Sequence, residues 1–156
     1  MRNFFIFFSL ITLATLQLSW PEGLRFFHVK PDLLLVFTVS AVFYFDFKVA
    51  LAAAVLAGLL KDTFLPAEQA INTVLFSIWS YAVFRLCRQI SIENNYIRLA
   101  IILIVAVLNN IILGIHSLNS GNVIPAGIFL RNLIISSLYT GAVAPLIFKL
   151  NKKISA

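Results

Sequence analysis

The chain has 156 residues, 61% of them apolar and 12% charged, with a mean hydropathy of +0.98, where soluble domains carry about 45–50% apolar and about 25% charged residues. That balance excludes a soluble globular domain, and the long unbroken apolar runs exclude an outer-membrane barrel, whose strands alternate in segments of about 10 residues. The net charge of +6 is no nucleic-acid footprint, because the basic residues stand between apolar runs instead of clustering on one face.

The reading is an all-α membrane protein forming a single integral domain over 1–156. A hydrocarbon core of about 30 Å takes about 20 apolar residues to cross, and six spans are predicted: approximately 3–20, 32–46, 48–64, 69–86, 97–117 and 124–148. The first begins after Arg2 and has the look of a signal peptide. The stretch Leu16-Gln17-Leu18-Ser19-Trp20 offers no small-x-small cleavage site, so a retained helix is expected, with Trp20 at an interface. The second and third spans are short and separated only by Asp46-Phe47-Lys48, which predicts a tight helical hairpin.

The third span carries Ala50, Ala54 and Gly58 at spacing four, flanked by Ala53 and Ala57. Small residues let helix backbones approach closely in lipid, against another helix of the same fold or against a partner's; the spacing does not choose between them. The span ends at Lys61-Asp62. A polar start with Gln69 and Asn72 opens the fourth, which closes at Arg85 and Arg88. Between these lies Cys87, a single cysteine that can form no internal disulfide. The fifth contains Asn109, Asn110 and His116. The sixth contains Arg131, Asn132, Ser136 and Thr140, and Pro145 is expected to bend it.

Orientation follows from the basic residues. With the N-terminus inside, Arg2, Lys48, Arg85, Arg88, Arg98, Lys149, Lys152 and Lys153 are cytoplasmic, against Arg25, Lys30 and Lys61 outside. Eight against three places both termini in the cytoplasm. Asp62, Asn72, Asn109, His116, Arg131 and Asn132 then gather from mid-membrane outward. A buried charge in lipid usually has a partner, so Asp62 and Arg131, opposite in sign and similar in depth, are expected to pair; separate snorkelling to the interface is the competing reading. Asn72, Asn109, His116 and Asn132 are the candidate lining of an outer cavity, although polar stripes in membranes more often join helices.

Catalytic chemistry is not legible. An aspartyl dyad needs two neighbouring carboxylates, and Asp62 has no second one within the membrane. Ser120-Gly121 lies in a loop, and neither a Cys/His metal cluster nor a P-loop is present. No enzyme, cofactor or metal is expected.

The order of features does point to a family. Gln17 and Trp20-Pro21 close the first span, Lys30-Pro31-Asp32-Leu33-Leu34-Leu35 opens the second, and a small-residue helix ends Gly58-Leu59-Leu60-Lys61-Asp62 before a fourth helix reaches Tyr81 and the basic Arg85 and Arg88. This resembles the MreD family of rod shape-determining proteins, with Pro31, Gly58, Leu59 and Asp62 as the matching motif elements. The chain departs from the family pattern at Ala50 and Ala54, where further glycines are usual, and in the "TFLPAEQAI" stretch after the aspartate. The resemblance implies a non-enzymatic scaffold of the bacterial inner membrane. It would bind the single-span protein MreC and through it connect with MreB and with the peptidoglycan polymerase RodA and its transpeptidase. It also implies a fold similar to the substrate-binding subunits of energy-coupling-factor transporters, so the alternative reading is a vitamin-binding subunit of that kind.

Overall fold

The computed structural model describes residues 2–25, 28–64 and 70–156. Six α-helices follow in chain order: α1 (Arg2–Leu18), α2 (Leu33–Tyr44), α3 (Phe47–Phe64), α4 (Ile71–Gln89), α5 (Asn95–Asn119) and α6 (Ala126–Ser155), with a short 3₁₀ turn at Glu22–Leu24 between α1 and α2. By length and composition α5 and α6 are each able to cross a bilayer, whereas Phe4–Leu18 and Leu33–Tyr44 are apolar but shorter.

The shortness of α2 has a physical reason. Its sequence, LLLVFTVSAVFY, is apolar on every side, and a helix without a polar face belongs in an interior. Every residue from Leu33 to Val42 is buried, and α1, α3, α4, α5 and α6 all pack around it. A central helix shielded by its neighbours need not match the bilayer thickness. Its two interior hydroxyls turn back on their own helix: Thr38 Oγ1 donates to the Leu35 carbonyl (2.8 Å) and Ser40 Oγ to that of Phe37 (3.1 Å).

Asp32 starts α2 as its N-cap, its carboxylate accepting from the Leu35 amide (3.1 Å). Phe45 is extended and ends the helix, and α3 begins two residues later, the tight hairpin expected. Along α3, Ala50, Ala53, Ala54, Ala57 and Gly58 are all buried. A Cβ on Gly58 would run into the backbone of Thr73, so α3 and α4 meet there backbone to backbone. The small-residue face is therefore occupied inside the fold.

Two hydrogen bonds set α2 alongside α6. The Asp32 amide donates to Thr140 Oγ1 (3.1 Å), and Asn151 Nδ2 donates to Ser40 Oγ. Thr140 is midway along α6, so the 14 residues before it carry the α5–α6 hairpin about 20 Å past the start of α2 at 1.5 Å per residue. Pro145 sits inside α6 without ending it.

Candidate functional site

Lys61 stands at the centre of the polar network. Ala50, Ala54, Ala57 and Lys61 follow one another at helical spacing, so the lysine extends the buried stripe of α3 and is itself only 7% exposed. Its ammonium lies 2.6 Å from Asp32 Oδ2 and 5.3 Å from the centre of the Phe76 ring on α4. The other Asp32 oxygen, besides capping α2, faces Gln17 Nε2 of α1 at 3.4 Å, and Gln17 Oε1 accepts from the Leu34 amide (3.1 Å). One carboxylate thus ties α1, α3 and the start of α2 together, while its backbone reaches α6 through Thr140.

Asp62, one residue on, faces a different neighbour. Ala70 precedes α4 in a left-handed conformation and supplies no side-chain cap, so the first amides of that helix need an acceptor from elsewhere. Asp62 supplies it: Oδ1 accepts from the Asn72 amide (3.1 Å) and Asn72 Nδ2 (2.9 Å), and Oδ2 from the Thr73 amide (2.9 Å) and Thr73 Oγ1. A carboxylate at the positive end of a helix dipole is also electrostatically favoured. Gly58 and Asp62, one turn apart, make up the seam between α3 and α4.

The expected pairing of Asp62 with Arg131 is corrected here. Asp62 has turned to α4, Arg131 is an exposed residue of α6, and the two form no ion pair among the described residues. The reason is that the amide ends of an uncapped helix lie within reach of the carboxylate and the guanidinium does not.

In place of the expected outer cavity, the structure has an opening with a different lining. It has a volume of about 310 Å³ and lies between the segment His28–Lys30 and the facing sides of α5 and α6, with Asn110, Phe129, Asn132 and Ser136 in its wall. Of the four candidates only Asn132 lines it. Asn72 is fully buried in the α3–α4 seam, and Asn109, also fully buried, accepts from Trp79 Nε1 (3.1 Å). His116 is half-buried away from the cavity wall, its Nε2 without a hydrogen-bond partner among the described residues. Asn110 reaches Ser136 (3.3 Å) and Ser137 (3.1 Å) across the α5–α6 contact. Gln69 and Glu68 fall outside the described residues.

A second opening is apolar. Ile6 and Phe7 of α1 and Val49, Ala52, Ala53 and Leu56 of α3 line a groove of about 250 Å³, with Lys48 at one end. Its floor is alanine, so another helix can approach closely there.

From sequence alone Lys61 counts as an outer charge, and the Lys61–Asp32–Gln17 node emerges only in the fold. Its signal was present: a lysine in register with buried alanines, and an aspartate in N-cap position after Pro31. The family model described as rod shape-determining protein MreD matches residues 2–154 of the chain. No curated protein and no solved structure matches it.

Proposed function

The chain belongs to the MreD family of rod shape-determining proteins, and from that premise we propose that it is a non-enzymatic scaffold of the inner-membrane elongation machinery that holds the transmembrane helix of MreC. The observation that carries the proposal is the use made of the charges drawn into the bundle. Lys61, Asp32 and Asp62 each fasten one helix to another, which is what a rigid framework for a partner requires. The docking place is the groove between α1 and α3, since Ala50, Ala54 and Gly58 are taken up internally. Through MreC the chain is linked to MreB, RodA and the transpeptidase that acts with it.

The proposal includes six spans with both termini cytoplasmic. The excess of basic residues on that side supports it. So does the register, because Asn151 near the end of α6 meets Ser40 toward the end of α2, and Ile6 and Phe7 near the start of α1 stand beside Lys48 and Val49 at the start of α3, which puts the start of α1 and the end of α6 at the same end of the bundle.

The test is co-purification with MreC. Ala52 is exposed in the groove, so Ala52→Trp fills it without disturbing the core and is expected to lose MreC. Ile104→Trp, at an exposed position on α5, is expected to retain it. Equal retention by both variants excludes the groove as the docking place.

A vitamin-binding subunit with the energy-coupling-factor fold is the second reading, favoured by the outer cavity. At about 310 Å³ it is at the small end of ligand pockets, which run from about 300 to 1,000 Å³. Native mass spectrometry separates the two readings: a retained molecule of a few hundred daltons supports a binding subunit, and an added single-span protein supports the scaffold.

A further inference from the structure

A third opening is larger than either of those two. Where α5 begins and α6 ends, a groove of about 830 Å³ runs between the two helices. Lys149 and Lys152 stand one turn apart on α6, both exposed, and Arg98 faces them from α5. Arg98 is held in place: Nη1 donates to the Tyr44 hydroxyl (3.0 Å), Nε and Nη2 donate to the Ile92 carbonyl (3.3 and 3.2 Å), and its guanidinium lies 5.1 Å from the Tyr44 ring centre. Glu93 is the one carboxylate in the wall. Further toward the middle of the bundle the lining changes to Leu99, Pro145 and Phe148.

We propose that this groove binds an anionic phospholipid, its phosphate between Lys149, Lys152 and Arg98 and the upper acyl chain along Leu99, Pro145 and Phe148. Three cations against one carboxylate select a lipid with net negative charge. The volume far exceeds a bare phosphate and accommodates a headgroup with the first part of its chains. From Pro145 to Lys152 the lining passes from apolar to basic in about 10 Å of helix, the same change that a phospholipid makes between chain and phosphate. A lone phosphate would leave the apolar half of the groove without a counterpart.

The test is native mass spectrometry of the purified full chain titrated with phosphatidylglycerol or phosphatidylcholine in mixed micelles. A retained phosphatidylglycerol adduct is expected, in clear excess over phosphatidylcholine. Near an anionic surface each lysine is worth about a factor of five in affinity, so K149Q/K152Q should weaken the adduct roughly twenty-fivefold. R85Q/R88Q makes the same change in net charge at the end of α4 and should leave the adduct unchanged. Inorganic phosphate at the concentration of the lipid should not displace it. The proposal is overturned if the two double variants lose the lipid equally, which signals general surface attraction, or if the two lipids bind alike. Displacement by inorganic phosphate also overturns it, because the ligand is then a free phosphoryl group. Both lysines are exposed, and unchanged thermal unfolding of K149Q/K152Q confirms that a lost adduct reports binding.

Discussion

Lys61 and Asp62 are adjacent in sequence and opposed in role, because consecutive residues of a helix point about 100° apart. Lys61 turns to Asp32 under α1 and α2 and Asp62 to the amides of α4, and each makes a prediction. Lys61→Met leaves the largely buried Asp32 carboxylate without its cation and is expected to cost up to about 3 kcal/mol. Adding Asp32→Asn removes that charge while keeping a competent N-cap, so the double variant should recover most of the loss in thermal unfolding. Asp62→Ala strips the cap from α4 and should cost about 1–2 kcal/mol, whereas Arg131→Gln should stay within about 0.5 kcal/mol. Equal losses at Asp62 and Arg131 would restore the ion pair that the geometry does not show. The sequence placed Asp62 correctly at the end of a tightly packed helix. It could not name the partner, because whether a carboxylate meets a guanidinium or a helix end depends on rotations about axes that depth alone leaves undetermined.

At the level of the element, the alanine stripe of α3 was legible as a packing face and its occupant was not, since spacing four is equally suited to a neighbour in the fold and to a foreign helix. Gly58 decides the matter for its end of the stripe. Gly58→Leu forces a side chain into the backbone of α4, and overpacking of this kind costs typically about 1–3 kcal/mol. The expected result is a lower unfolding temperature with weaker MreC recovery only in proportion to folded protein. The exposed Ala52 on the same helix should behave oppositely, with Ala52→Trp keeping its unfolding temperature and losing the partner. A Gly58→Leu protein as stable as the parent would show that α3 and α4 are not closely docked. The hairpin between α2 and α3 was readable because only two residues separate the helices, and the burial of α2 because its sequence has no polar side.

The whole molecule is closed by its last helix. All six helices were visible as apolar segments, but the pairing of α2 with α6 rests on Asp32 with Thr140 and on Ser40 with Asn151, contacts more than 100 residues apart in sequence that no local pattern announces. Cys87, a half-buried thiol near the end of α4, offers a check on orientation. Arg85, Arg88 and Cys87 are expected on the cytoplasmic side, so a single cysteine moved to Ser120 should react with a membrane-impermeant maleimide from outside, and one at Ser155 should not. The order in which α2 gains its shield also bears on how the protein is made. The helix leaves the ribosome early, yet one of its sides stays uncovered until its partners on α6, 108 and 111 residues further along the chain, have been synthesised. Through that interval the young chain presents Ser40 and the Asp32 amide to lipid, or to an insertase that holds them. Chains halted before Ala126 should therefore be degraded by membrane proteases, and the last helix to emerge is the one that completes the first half of the protein.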